Sequence, residues 1–359
     1  MSGPDRWMAA VVVLWLALVI SLVLAVVGSS RVWGADPIPI TAAAARVEAG
    51  RELFYERALS IDFSTSCGGC HQPERAYTDG LAVAVGMRGN ANAPEGFLGD
   101  TNTPTVLGAI FKAAQFKDGR AASIADQALQ PWTNPAEMGL DSIEQGLRRL
   151  ADVRDPDGGA KYRRLFALAY GSSEINADRC ADALAYFEAT LTVTDAPVQL
   201  FLAGHKGALD KRQLNGFRVF ERSGCIQCHS GRELRDGGFH NNGYAQRSDS
   251  ERGRNRVTGR PEDLRSIATP TLIQLAMTAP YMHDGGLKTI TDVVAHYNSG
   301  GGYIQAGTGR KVKDKRLDPR IKVLNLSPED FHDLVYFLET ATAGTVPYFP
   351  DPQKRLAGR

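Results

Sequence analysis

The chain lacks an excess of charge of either sign. Its 359 residues carry 41 lysines and arginines against 40 aspartates and glutamates, which gives a formal net charge of +1. A protein that attracts nucleic acid through its overall field needs a strongly basic balance, and this chain does not have one. We therefore predict no nucleic-acid partner.

Cysteine is scarce as well, and four of the five cysteines fall in two copies of one motif, CGGCH at 67–71 and CIQCH at 225–229. Cys-x-x-Cys-His is the attachment signature of c-type haem, in which two thiols add to the vinyl groups and the histidine binds the iron. The histidine after each pair disfavours a bare disulfide, and the large block around each pair disfavours a small zinc knuckle. The sequence therefore predicts two covalently bound haem c groups, held by Cys67, Cys70 and His71 and by Cys225, Cys228 and His229.

Long apolar runs are limited to one, the 21 residues from Trp7 to Val27. A membrane-spanning helix needs about 20 such residues, whereas a cleaved secretion signal has an apolar region of roughly 7–15. We favour an uncleaved anchor over a signal peptide, for which Gly28–Ser30 is the best cleavage region. Because c-type haem is attached outside the cytoplasm, the rest of the chain is predicted to be periplasmic and to be anchored to the inner membrane by this segment.

Apolar periodicity predicts a mainly helical chain. Helices are expected from Thr41 to about Tyr55, over Asp141–Leu150 and Ala177–Leu191, and from Ser327 onward with a proline in the first turn. Cys180, the fifth cysteine, lies on the apolar face of the third of these and is predicted to be a buried packing residue.

A weak internal repeat supports two related domains. The stretch Gly50–Phe54 precedes the first haem motif, and Gly216–Phe220 precedes the second. We predict two cytochrome c-like helical domains with one haem each. The expected divisions are an anchor or signal with its linker at 1–36, a peroxide-reactive domain at 37–198 and an electron-transfer domain at 199–350.

From about residue 40 to 342 the sequence resembles the bacterial dihaem cytochrome c peroxidases and their relative MauG. The stretches that carry the resemblance are Gly50–Phe54, Asn102–Thr105, Ala114–Ala121, Ala136–Met138 and Thr278–Gly285. The resemblance implies that the N-terminal haem reacts with hydrogen peroxide, with Glu137 moving protons during O–O cleavage and Gln127 nearby. One carboxyl can take a proton from bound peroxide and return it to the leaving oxygen. Without the resemblance, Glu137 would be interpreted as a surface carboxylate.

Two positions depart from the conventional peroxidase pattern at the irons. Met87 stands where a histidine blocks the first iron of conventional members, so either that iron is open, which we favour, or Met87 is a weak ligand. Tyr297 stands at the place of the methionine ligand of the second haem, as in MauG. A phenolate favours oxidised iron and would let this haem hold an oxidising equivalent. The alternatives are that Tyr297 is a packed aromatic or that His296 is the ligand.

A third departure concerns the space between the haems. Lys117 replaces a tryptophan that the family often has there, so we expect another inter-haem route, with Tyr281 or His283 as candidates. The resemblance also implies one calcium ion, bound by Asn102, Thr278 and Pro280. Eight arginines between 230 and 266 are candidates to pair with haem propionates: Arg232, Arg235, Arg247, Arg252, Arg254, Arg256, Arg260 and Arg265.

Three functions follow from these readings. The leading prediction is a MauG-like peroxidase that shares oxidising equivalents between its haems and oxidises a partner, either a small periplasmic electron donor or a protein substrate. The first alternative is a conventional cytochrome c peroxidase that reduces hydrogen peroxide with electrons from a small cytochrome c or cupredoxin. The second is a non-catalytic electron-transfer cytochrome with Met87 on the first iron.

Overall fold

The computed structural model describes residues 40–87, 98–156, 158–244, 252–304, 311–312 and 315–352. The chain divides into two units, Met1–Ala43 and Ala44–Arg359, and the sites considered below all lie in the second. The proposed division of that unit at 198/199 stays a prediction. No helix among the described residues has both the length and the apolar character needed to cross a membrane. The run Trp7–Val27 lies outside those residues.

The described fold is mainly helical, as predicted. Its α-helices are α1 Ile40–Phe54, α2 Cys67–Cys70, α3 Ile124–Ala128, α4 Gln130–Thr133, α5 Ile143–Asp152, α6 Lys161–Tyr170, α7 Ala177–Ala189, α8 Pro197–Leu202, α9 Lys211–Arg222, α10 Asn255–Thr258, α11 Ile290–Asn298 and α12 Pro328–Thr340. Short 3₁₀ turns lie at Arg57–Leu59, Pro73–Arg75, Ala109–Phe111, Cys225–Gln227, Pro261–Asp263 and Leu275–Met277.

Strand is confined to two short antiparallel pairs among the described residues. Strand β1, Phe239–His240, pairs with β2, Ile267–Ala268, in the register Phe239 to Ala268. Strand β3, Tyr303–Ile304, pairs with β4, Lys311–Val312. The first pair joins the segment after the second haem motif to the residues that directly follow the arginine-rich stretch between 230 and 266.

Helix ends follow the capping side chains, and several predicted ends were wrong. Helix α1 begins at Ile40, one residue before the expected start. Helix α5 begins and ends two residues later than expected. It begins there because Ser142, not Asp141, accepts the backbone N–H of Gln145. Helix α7 ends at Ala189 instead of Leu191. The opening of α12 is confirmed, since the Ser327 hydroxyl accepts from Asp330 N at 3.1 Å.

The core repeats one arrangement at both haem motifs, in which the helix before the motif crosses a later helix at a glycine. A Cβ on Gly50 of α1 would lie 1.9 Å from the carbonyl oxygen of Ala183 in α7. A Cβ on Gly216 of α9 would lie 2.1 Å from the carbonyl oxygen of Asp333 in α12. Only glycine allows backbones to approach this closely. Cys180 on α7 is fully buried, which confirms it as a packing residue.

Candidate active site

The first haem motif forms one helical turn, α2, followed by His71. The backbone N–H of His71 donates to Cys67 O at 2.8 Å, and its Nδ1 lies 3.1 Å from Tyr77 O. A carbonyl oxygen only accepts, so Nδ1 carries the proton and Nε2 keeps the lone pair that a metal needs. Burial lowers the pKa of His71, which favours the neutral ligand form.

The second motif has the same local geometry, although its first residues form a 3₁₀ turn. The His229 N–H donates to Cys225 O at 2.9 Å, and its Nδ1 lies 3.0 Å from Leu234 O. Burial lowers the pKa of His229 as well. In both motifs two sulfurs and a correctly protonated imidazole lie together, so the donor sets fit covalently attached haem.

A cavity of about 540 Å³ opens beside the first motif. Its walls include Cys67, Cys70 and His71 together with Gln127 and Glu137. The fold therefore brings Gln127 and Glu137 to the same cavity as the first motif, although more than fifty residues separate them from it along the chain. The volume lies within the range of roughly 300–1,000 Å³ that is usual for cofactor sites.

Glu137 lies in the turn that follows α4, and Asn134 fixes its carboxyl group. The Asn134 side chain donates to Glu137 Oε1 at 2.6 Å, and the Glu137 N–H donates to Asn134 O at 2.9 Å. Burial raises the pKa of Glu137, and the Asn134 bond opposes that rise. Burial raises the pKa of the Cys67 and Cys70 thiols, and the nearby Glu137 carboxyl adds a smaller contribution to each. Its position and raised pKa suit proton transfer in this cavity.

Met87 lies behind Glu137. Its N–H donates to Glu137 O at 2.7 Å, and its sulfur packs at Gly139, where an added Cβ would lie 2.5 Å from Sδ. Met87 is not among the described residues that line the cavity. This packing favours the open first iron over a Met87 ligand.

Tyr297 lies on α11, opposite the second motif. Its hydroxyl accepts a hydrogen bond from Asn242 Nδ2 at 3.3 Å. Burial raises the pKa of Tyr297 to about 12, the Asn242 bond opposes the rise, and the nearby thiols of Cys225 and Cys228 add to it. The phenol is therefore close to both attachment cysteines. Asn242 Nδ2 also lies 3.5 Å from Met282 Sδ.

His296, the other candidate for this iron, is engaged elsewhere. Its Nε2 lies 3.1 Å from the backbone oxygen of Asn242, and a carbonyl partner requires that Nε2 carry a proton. A protonated Nε2 cannot ligate a metal, which leaves only Nδ1 of His296 for that role. Tyr297 as the ligand of the second haem stays a prediction.

One predicted calcium ligand, Asn102, accepts hydrogen bonds from a lysine, and a second, Pro280, accepts one from Asn102. Lys117 Nζ donates to Asn102 O at 2.8 Å, to the Asn102 side-chain oxygen and to His283 O at 3.1 Å. The Asn102 amide nitrogen donates to Pro280 O at 3.0 Å. Thr278 lies two residues before Pro280, and its hydroxyl donates to a backbone oxygen of its own turn at 3.0 Å. The structure thus brings Asn102 and Pro280 together, with an amine between Asn102 and His283.

Rings form a continuous series from the cavity wall to Tyr297. His283, which lines the cavity, lies 5.9 Å from Tyr244 between ring centroids. Tyr244 lies 5.5 Å from His296, which lies 5.2 Å from Tyr297. Tyr281, the other candidate for an inter-haem route, donates its hydroxyl to a backbone carbonyl at 3.1 Å and is not part of this series.

Several cavity residues had not been identified from the sequence as parts of this site. Lys112 and Glu188 line the cavity, and burial lowers the pKa of the lysine to about 8 and raises that of the glutamate to about 8. No sequence pattern marks either of them. Arg252, Arg256 and Arg265, which the sequence offers as candidates to pair with haem propionates, also line the cavity, and their pairing with propionates stays a prediction. Arg247 lies outside the described residues.

Comparisons with known proteins were consistent with one another. The family model of the di-haem cytochrome c peroxidases matches residues 44–207. The chain is 34% identical over 311 residues to the methylamine utilization protein MauG of Methylorubrum extorquens, covering 85% of this chain and 81% of that one. It is also 34% identical over 250 residues to the cytochrome c551 peroxidase of Nitrosomonas europaea, covering 69% of this chain and 71% of that one.

Solved structures with the same fold include a MauG-like protein associated with microbial copper homeostasis. The TM-score to that protein is 0.76 at 26% identity, over 90% of this chain and 99% of the other. The diheme peroxidase BthA of Burkholderia thailandensis has a TM-score of 0.69 at 21% identity, over 88% of this chain and 90% of the other.

Proposed function

Because the chain belongs to the dihaem cytochrome c peroxidase family, whose members are oxidoreductases with two haem c groups, we propose that it is a MauG-like member. It would use hydrogen peroxide at an open N-terminal haem and share the oxidising equivalents with a His/Tyr-ligated second haem. These equivalents would then oxidise a partner, either a protein side chain or a small electron donor.

The observation that carries this proposal is the cavity at the first motif. One space is bordered by the proximal histidine, both attachment cysteines, and the Gln127 and Glu137 side chains. A carrier that only passes electrons has no need of a carboxyl with a raised pKa beside its cofactor. The cavity therefore favours a peroxidase over the non-catalytic cytochrome.

Each residue has a distinct part in the proposed reaction. Haem, when bound, supplies the redox chemistry with peroxide. Asn134 holds Glu137 Oε1 at 2.6 Å, which leaves Oε2 to take the proton of peroxide and deliver it to the departing oxygen. Gln127 is placed to hydrogen-bond the same substrate. The packing of Met87 on Gly139 leaves the peroxide side of the cavity to these two groups.

The proposed difference between a MauG-like enzyme and a conventional peroxidase lies at the second site. Asn242 orients the Tyr297 hydroxyl, and a hard anionic oxygen donor stabilises oxidised iron and lowers the haem's reduction potential. We propose the ring series His283, Tyr244, His296 and Tyr297 as the electron route in place of the missing tryptophan. Centroid steps of less than 6 Å keep each electron transfer short.

The conventional peroxidase remains the second candidate, and the similarity to the Nitrosomonas europaea cytochrome c551 peroxidase favours it. The two functions differ in the partner that reduces the oxidised enzyme. We place the enzyme in the periplasm because c-type haem is attached there, and we retain Trp7–Val27 as its membrane anchor. The calcium ion implied by the resemblance is not part of this proposal.

Mixing the ferric protein with one equivalent of peroxide tests the proposal. In the absence of an electron donor, we expect an oxidised state that persists for minutes. Stopped-flow absorption measures its formation and decay. Rapid turnover with reduced cytochrome c, combined with immediate loss of that state, would instead support the conventional peroxidase. Absence of any reaction with peroxide would leave only the electron carrier.

A further inference from the structure

Lys117 is held from both sides by other parts of the chain. Its backbone oxygen accepts from Ala268 N of strand β2 at 2.8 Å. At the other end of the side chain, Nζ donates to the backbone and side-chain oxygens of Asn102 and to His283 O. His283 lies 166 residues farther along the chain, so this contact depends entirely on the tertiary fold.

Three oxygens match the three N–H donors of an ammonium group, whereas a neutral amine has only two N–H donors. Burial lowers the pKa of Lys117 to about 7, and the nearby Lys112 adds to that fall, whereas the buried carboxylates of Asp284 and Asp79 oppose it. The hydrogen-bond geometry, with three acceptor oxygens for three N–H donors, indicates an ammonium group at Nζ.

One of these oxygens, the side-chain oxygen of Asn102, is a ligand that the sequence resemblance assigns to calcium, together with Thr278 and Pro280. Asn102 presents its side-chain oxygen to Lys117, and its amide nitrogen donates to Pro280 O at 3.0 Å. Two of the three expected ligands thus already have protein partners. Calcium takes six to eight oxygens at roughly 2.3–2.6 Å, and an ammonium on the same carbonyl group would repel it.

We propose that Lys117 is an internal cation that takes the place of a divalent metal ion at this cluster of oxygens. The charged side chain joins the cavity wall at Asn102 to the segment that carries His283, the first ring of the series leading to Tyr297. The chain consequently holds this junction without binding calcium. This inference concerns the junction alone and does not depend on the reaction with peroxide.

The variant Lys117→Met removes the charge and keeps most of the length of the side chain. Haem-loaded wild type and variant are dialysed against a chelator, and half of each sample then receives about 1 mM calcium. Bound calcium is measured by atomic emission after desalting, and the unfolding midpoint by calorimetry. We expect the wild type to hold no calcium and to keep its midpoint, and the variant to unfold several degrees lower and to recover part of that loss with calcium.

Lys112→Met is the matched control, because Lys112 is a second buried lysine on the same cavity and its Nζ donates to no such cluster of oxygens among the described residues. It should not gain a response to calcium. One calcium per wild-type chain with a midpoint that falls on chelation would overturn the proposal, even if Lys117→Met fails to fold. A folded Lys117→Met protein that ignores calcium, or has the wild-type midpoint, would overturn it as well.

Discussion

Glu137 owes its proposed chemistry to two features of its surroundings, the burial that raises its pKa and the Asn134 amide that fixes one oxygen. The same carboxyl on an exposed surface would be ionised at all but acid pH and free to rotate. Tyr297 is a comparable case, since Asn242 orients its hydroxyl toward the second motif. At the scale of residues, function here depends on neighbours that no local motif specifies.

We expect Glu137→Gln to slow the reaction with peroxide about 10²–10⁴-fold, because an amide cannot accept the proton of peroxide. Stopped-flow absorption with excess peroxide measures the rate. The exposed Glu144 of α5 provides the control, and Glu144→Gln should react as the wild type does. A Glu137→Gln rate within a factor of two of the wild-type rate would show that another group moves the proton.

The pH dependence of that rate should follow the raised pKa of Glu137. Below its pKa the carboxyl keeps its proton and cannot accept another, so the rate falls as pH falls. Because burial raises the pKa, the fall begins at higher pH than for an exposed glutamate. The rate profile of Glu137→Gln should lack this acid limb, and a limb that persists in the variant must belong to another group.

Tyr297→Met should raise the reduction potential of the second haem, because a neutral thioether replaces an anionic oxygen. The rise should be on the order of a few hundred millivolts, within the roughly 0.8 V span that axial ligands cover. A spectroelectrochemical titration measures it, with electron paramagnetic resonance of the resting protein for comparison. Tyr336→Phe, which removes a hydroxyl bonded to Asp210, is the control. Equal potentials in wild type and Tyr297→Met would mean that Tyr297 is only a packed aromatic.

Among the helices, two glycines control how closely the elements before the haem motifs approach their partners. Gly50 on α1 faces α7, and Gly216 on α9 faces α12. Aromatic rings complete both crossings, with Phe54 and Phe187 5.1 Å apart and Phe217 and Phe337 5.6 Å apart. The weak repeat seen in the sequence is therefore a repeat of a helix crossing.

Gly216→Ala should lower the free energy of unfolding by about 1–3 kcal/mol, because its Cβ would overlap the Asp333 carbonyl and force α9 from α12. Chemical denaturation of the haem-loaded protein measures the change. Gly207→Ala is the control, since nothing lies within 4 Å of an added Cβ there. Equal loss in both variants would mean that the close crossing has no special role.

For the molecule as a whole, we predict that the first 36 residues, which contain the apolar run Trp7–Val27, decide where the protein resides in the cell. We expect the full chain to fractionate with membranes, and a version that begins at residue 37 behind a cleavable secretion signal to be a soluble periplasmic protein with two haems. Fractionation and haem staining measure both. Full-length protein recovered in the soluble fraction with a new N-terminus near Gly28–Ser30 would show that the segment is a signal peptide.

A feature of this molecule could be predicted from the sequence when residues close together in the chain specify it. Haem attachment needs two thiols and a histidine within five residues, so the motifs predict it without a fold. The opening of α12 needs only Ser327 and Asp330 and was likewise predictable. Helix α5 was placed too early because Asp141 and Ser142 are both good caps, and only the folded backbone selects between them.

Sequence alone determined the cofactor class and the helical character, because covalent spacing and apolar periodicity are short-range properties of the chain, whereas the candidate carboxylate Glu137 came from the family resemblance. Tertiary structure decided what surrounds them. Asn242 meets Tyr297 across 55 residues, and Lys117 meets His283 across 166. Contacts of that range depend on the path of the whole backbone, and no pattern in neighbouring residues encodes them.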